Sequence, residues 1–124
     1  MRLFTLLAII CVAATAADMP NIWPLPKEYK HGDKTVKVDA YHFRFSTPAQ
    51  SNELISAFQR YYDLVFDRKS EIVESGIKQA RVTVKEDKTE LQLGIDESYS
   101  LEIPEDGSDI IITATNAFGA MHGL

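Results

Sequence analysis

The chain has a single cysteine, Cys11, in its 124 residues. It lies in an apolar N-terminal stretch, so the rest of the chain is without thiols. That excludes a disulfide framework, a cysteine nucleophile and any zinc site built on thiolates. No Asn-x-Ser/Thr sequon occurs, so the segment offers no acceptor for an N-glycan. The three histidines, His31, His42 and His122, are scattered, with no H-E-x-x-H and no neighbour at ligand spacing. There is no G-x-S-x-G, no G-x-G-x-x-G and no lysine-bearing phosphate loop. Positive charge is in the minority: 13 Lys and Arg stand against 18 Asp and Glu, a formal net charge of -5. An acidic balance argues against nucleic acid and against anionic membrane as partners.

The one long hydrophobic run is at the start. Met1-Arg2 gives a short positive n-region, Leu3 to Ala13 is almost unbroken apolar sequence, and Ala14-Thr15-Ala16 supplies a small-x-small cleavage pattern. The run falls short of the ~20 residues that a stable bilayer span needs. Residues 1-17 are therefore expected to be a signal peptide cut after Ala16 or Ala17, with 18-124 as the mature domain. The expected localisation is the secretory pathway, lysosomal or extracellular, with no membrane span. What remains is enough for one modest domain with a single core, held by packing alone.

Along that domain, Asn21-Ile22-Trp23-Pro24-Leu25-Pro26 is an extended, proline-rich lead-in. Val36 and Val38 alternate on one parity, and Tyr41, Phe43 and Phe45 on the other. A bulge or turn near Asp39-Ala40 is needed to bring both sets to one face. A helix is predicted from Pro48 to about Asp67, with Thr47 as N-cap and Gln50 completing a capping box. Its apolar stripe is Leu54, Ile55, Phe58, Tyr61, Tyr62, Val65 and Phe66, and Arg68 and Lys69 are placed to stabilise its last carbonyls. Strands follow at Ala80 to Lys85 and Ser98 to Ile103. The segment Leu91 to Ile95 is left open between strand and ordered loop. Pro104-Glu105-Asp106-Gly107 is a turn by composition. Ile110-Ile111-Ile112 is a continuous apolar run, which predicts a strand covered on both faces. From Asn116, an N-cap, a second helix begins, with Phe118, Met121 and Leu124 at helical spacing and no C-terminal stop signal. The predicted class is α+β: one sheet, mainly antiparallel or mixed, with helices on one face.

The chemistry-bearing residues give little. Asp96-Glu97 and Glu105-Asp106 are adjacent carboxylates, whereas glycosidic carboxyl pairs face each other across a substrate, about 5 to 10 Å apart. Trp23 is the one residue type suited to stacking on a sugar ring, although a tryptophan between such neighbours commonly packs on a core. Gly119 and Gly123, four apart, suit close helix packing better than phosphate binding. No catalytic, substrate-binding, cofactor-binding or metal residue is assigned in this chain, and no cofactor is expected.

Taken together, four segments resemble a known family. Trp23-Pro24-Leu25-Pro26 after a signal resembles the start of mature animal lysosomal β-hexosaminidases. Ala57-Phe58-Gln59-Arg60-Tyr61-Tyr62-Asp63-Leu64-Val65-Phe66 is similar to the first helix of their N-terminal domain. Glu97-Ser98-Tyr99-Ser100-Leu101-Glu102-Ile103 matches the strand written E-x-Y-x-L. Asn116-Ala117-Phe118-Gly119-Ala120-Met121-His122-Gly123-Leu124 looks like the passage from that domain into the barrel.

The resemblance implies glycoside hydrolase family 20, whose members remove terminal N-acetylhexosamine with the substrate's own acetamido group as nucleophile. The catalytic Asp-Glu pair of that family lies in a (β/α)8 barrel, which needs about 250 residues of its own. The expectation is thus a non-catalytic N-terminal domain, cut at the barrel junction. Its implied partners are its own C-terminal barrel, whose face would cover the Phe118/Met121/Leu124 stripe, and a second hexosaminidase subunit. Glycoconjugate would be met only through the barrel. The alternative is a free-standing secreted carbohydrate-binding or vestigial module without activity. One departure stands out: animal members carry a disulfide in this domain, and the mature chain has no cysteine to form it.

Overall fold

The computed structural model describes residues 21–67 and 75–124. The chain divides into two units, Met1–Lys30 and His31–Leu124. In the first, residues 21–30 form neither helix nor strand, and the Trp23–Pro24 peptide is cis. The signal peptide expected at 1–17, and Arg68 and Lys69, lie outside the described residues.

In the second unit the order is β1 (Arg44–Ser46), α1 (Asn52–Val65), β2 (Gln79–Glu86), β3 (Tyr99–Glu102), β4 (Ile110–Asn116) and α2 (Ala117–Gly123). The strands form one four-stranded sheet in the order β1-β2-β4-β3. β1 runs parallel to β2 and β2 parallel to β4, while β3 pairs antiparallel with β4. The sheet is mixed, as expected, but its pairings are not mainly antiparallel. The reason is connectivity: α1 carries the chain from β1 back to the start of β2, a crossover that makes the two strands parallel.

Alternation decides which side is covered. Ala80, Val82, Ile112 and Ala114 are buried on the helix side, together with Leu54 of α1 and Ala117 and Ala120 of α2. A second cluster gathers Phe43, Ile77 and Ala80 with Phe45, Tyr62 and Phe66 around it. Phe43 meets Phe45 edge to face at 5.3 Å, and Phe45 stacks on Phe58 at 5.2 Å. On the opposite side of the sheet stand Arg81, Thr83, Lys85 and Ile111, all exposed. Ile110-Ile111-Ile112 is therefore covered on one face only, because both described helices pack on the same side. Ile111→Thr is expected to change stability by no more than about 0.5 kcal/mol. Ile112→Thr, in the core, should cost about 2 kcal/mol or more in the same denaturation series.

The helix boundaries differ from the sequence expectation. Thr47 does not cap α1; its hydroxyl accepts the N–H of Ala49 in a tight local turn. Residues 47–50 stay non-helical and carry Ala49 into the core. Ser51 is the N-cap, extended in backbone, with its hydroxyl accepting the Leu54 N–H at 3.2 Å. The helix then ends at Val65 with Phe66 as C-cap, and its last turn holds no basic residue. Its buried stripe is also shifted: Leu54 and Ala57 are inside, whereas Ile55 and Val65 are exposed.

The turn expected near Asp39-Ala40 is present over residues 40–42. Before it, the predicted strand at Val36 and Val38 reduces to a single bridge between Val38 and Ile77. Leu91 to Ile95 resolves as loop, with Leu93 wholly exposed. The turn at 104–107 forms as composition predicts: Gly107 adopts a φ of 77° and donates to the Pro104 carbonyl at 3.2 Å.

Candidate functional site

Each chemistry-bearing pair singled out in the sequence has a local partner. Asp96 accepts the Ser98 N–H at 3.0 Å on one oxygen and the Thr115 hydroxyl at 3.0 Å on the other. Glu97 takes the His122 ring at 2.8 Å. Glu105 pairs with Lys34 at 3.1 Å, and Asp106 accepts the Ser108 N–H at 2.9 Å. The two pairs stand at opposite ends of β3, not facing each other over a cleft. His42 and His122 each meet a single carboxylate. Among the described residues no three His, Cys, Asp or Glu side chains come together as a metal site.

What the structure does bring together is the corner where β3 starts and α2 begins. Asn116, itself buried, accepts the Gly119 N–H at 3.0 Å and caps α2. Its amide donates to the Asp96 carbonyl at 2.9 Å. Ser98 and Thr115 share a hydroxyl bond at 3.1 Å. The loop backbone also lies close over the helix: a Cβ on Gly119 would stand 2.9 Å from the carbonyl oxygens of both Glu97 and Ser98. A Cβ on Gly123 would come within 2.9 Å of Ile112 and 3.1 Å of Tyr99. The two glycines thus serve close packing. The segments Glu97–Ile103 and Asn116–Leu124, read separately in the sequence, are two halves of one clasp.

Among the described residues, two concavities border α2. One, of about 560 Å³, lies between the α1 cap and the β2–β3 connection, with Glu53, Asp87, Lys88, Glu90 and Phe118 on its walls. Phe118 therefore departs from the stripe expected of it. Met121 and Leu124 pack on the core cluster, alongside the buried Ala117 and Ala120. The other, of about 180 Å³, is an apolar trough on the helix side of the sheet. Ala80, Ile110 and Leu101 are among the residues that line it, with Val65 and Phe66 of the α1 end and Leu124 after α2.

A further polar knot fixes the other end of the sheet. Asp39 is fully buried, and it accepts the N–H groups of Tyr41 and His42, both at 3.2 Å, and the His42 ring at 2.7 Å. Burial alone would raise this carboxyl, but the bonds to His42, the His42 charge and the Tyr41 N–H outweigh it and hold it below the usual aspartate value. Asp96 is lowered chiefly by its bonds to Ser98 and then Thr115, and Asp106 by its bonds to Ser108. A lowered folded value stabilises the fold above the unfolded value, and the contribution is lost as pH falls through the folded one. Thermal stability is thus expected to decline from about pH 5 downward. Asp39→Asn should flatten that decline while lowering the plateau above it, as read by melting curves across pH.

A single mixed sheet with both described helices on one side defines a small α+β domain. The chain belongs to the beta-acetyl hexosaminidase-like family, whose model matches residues 22–124, the N-terminal domain of family 20 glycoside hydrolases. It is 41% identical over 116 residues to Beta-hexosaminidase subunit B2 of Dictyostelium discoideum, covering 90% of this chain and 20% of that protein. Beta-hexosaminidase 1 of Arabidopsis thaliana is 32% identical, over 98% of this chain and 27% of its own length. Beta-hexosaminidase subunit A1 of Dictyostelium discoideum is 34% identical, over 93% of this chain and 22% of its own. The chain thus spans between a fifth and about a quarter of these relatives. No solved structure matches. The family resemblance carried by four short motifs is shown by these findings.

Proposed function

We propose that this chain is the non-catalytic N-terminal domain of a secretory-pathway β-N-acetylhexosaminidase, lysosomal or extracellular. Hydrolysis of terminal N-acetylhexosamine then belongs to a catalytic barrel in the remainder of the enzyme, and this domain buttresses that barrel. The observation that carries the reading is the match of one family model to residues 22–124, in a chain that corresponds to about a fifth to a quarter of each relative. The placement of the carboxylates supports it: Asp96, Glu97, Glu105 and Asp106 are all engaged in bonds within the domain.

Antibody raised against residues 31–124 tests the proposal in extracts of the source organism. Depletion is expected to remove N-acetylhexosaminidase activity together with a protein several times the 13.9 kDa of this chain. If the antigen is cleared completely at 14 kDa or below while the activity stays in solution, the domain is a free-standing module and the proposal fails.

A further inference from the structure

The connection from Glu86, the end of β2, to Tyr99, the start of β3, is held firmly at its two ends and loosely between them. Glu86 pairs with Asn116 in the sheet. Asp96 is tied to Ser98, Thr115 and Asn116. In the middle, the backbone bond from the Ile95 N–H to the Gln92 carbonyl is 3.4 Å long, beyond the usual range. Nor does the loop pack down: the concavity of about 560 Å³ separates residues 87–91 from the α1 cap. Leu91 is 67% exposed and Leu93 wholly so. Gly94 follows with a φ of 86° and nothing within 4 Å of the place a Cβ would take.

We infer that this loop is a site of limited proteolysis: an endopeptidase that takes an apolar side chain before the scissile bond cleaves it after Leu91 or Leu93, and the domain persists as two chains. At Leu93–Gly94, water adds across the amide. Its hydroxyl goes to the Leu93 carbonyl carbon and its proton to the Gly94 nitrogen, leaving a carboxylate and an ammonium. An endopeptidase cleft takes its substrate as an extended strand, so a bond inside a helix or sheet is reached only after local unfolding. That removes Leu64 of α1 and Ile111 of β4, exposed though both are. Trp23, Leu25 and Ile103 each precede a proline, whose ring crowds the bond and which offers no N–H. Tyr41 lies in the turn that Asp39 holds.

The cut spares the joints of the fold. Asp96, Glu97 and Ser98 stay on one piece with Asn116, Gly119 and His122, so the clasp around α2 is not divided. β2 and β3 are not neighbours, and each pairs with β4. The piece ending in the loop therefore remains zipped to the other from Ala80↔Ile110 to Glu86↔Asn116. Leu54 and Val82 on the first piece share a core with Ile112, Ala114 and Ala120 on the second.

Chymotrypsin, at a low ratio to the full chain, is the probe, with cuts mapped by mass and those before residue 31 read apart. Within His31–Leu124 the first cut is expected after Leu91 or Leu93. The two pieces should co-elute in gel filtration and part only in denaturant. Leu91→Ser with Leu93→Ser should slow that cut about tenfold or more and leave Tm unchanged. A first cut elsewhere in that unit, pieces that separate without denaturant, or a double variant cut as fast as its parent overturns the inference. In the chain isolated from its source organism, peptides ending at Leu91 or Leu93 are expected without added protease. A backbone continuous across both bonds in all of that material overturns the site as a native one.

Discussion

Asn116→Ala is expected to lower the stability of the domain by about 3 kcal/mol. The side chain has two separate duties, and alanine performs neither. As N-cap it satisfies the Gly119 N–H, and losing such a cap costs about 1 kcal/mol. Its amide also meets the Asp96 carbonyl at part-buried depth, and an orphaned group of that kind costs about 1–3 kcal/mol. Because the Asp96 loop also crosses α2 at Gly119, the damage extends to the docking of the helix. For a domain of this size the fall in Tm is about 15 °C. Asn116→Ser separates the two duties, since serine still caps but is too short to reach Asp96. Its loss should be about half that of alanine. Equal losses for serine and alanine would show that the bond to Asp96 holds everything and the cap nothing.

Leu54→Ala should cost about 3 kcal/mol or more, the range found for fully buried leucines. Leu54 is wholly inaccessible and sits in the cluster with Val82, Ile112 and Ala120, so it joins α1, the sheet and α2. Small residues dominate the neighbouring positions, Ala49, Ala114, Ala117 and Ala120, and their short side chains cannot swing in to fill the vacancy. Ile55→Ala, one residue along the same helix but exposed, should change stability by less than about 0.5 kcal/mol. Chemical denaturation of the pair reads the difference directly. Comparable losses at both positions would place the buried stripe of α1 where the sequence pattern had drawn it.

That comparison marks where the sequence is legible and where it is not. Element order, the turn at 104–107 and the Asn116 cap are carried by local chemistry, with Gly107, Asp106 and Asn116 acting within three residues of themselves. Local signals are read easily for that reason. The start of α1 is the counter-example. Thr47, Pro48 and Gln50 compose a sound cap on paper, but Ala49 is needed in the core, and Ser51 caps one turn later. Strand direction is likewise set by the α1 crossover, not by any residue within the strands. The one-sided burial of Ile110-Ile111-Ile112 depends on where both helices dock, which the run of three isoleucines does not encode.

Of the site, the motifs were visible but not their relation. The likeness of Glu97–Ile103 and Asn116–Leu124 to family segments could be read one at a time. Their physical content is mutual: His122 meets Glu97, Asn116 meets Asp96, and the glycines let the backbones touch. The small residues at 117, 119, 120 and 123 were the available signal for such a contact, since a helix face without bulk is one that something approaches closely. The apolar trough had no sequence signal, because Leu101 and Ile103 alternate like any half-buried strand.

The most direct test of the account is the native transcript read past the codon for Leu124. An open frame that runs into a barrel containing an adjacent Asp-Glu pair is the expected result. A stop codon immediately after Leu124 would contradict the reading, leaving a domain with no barrel to support.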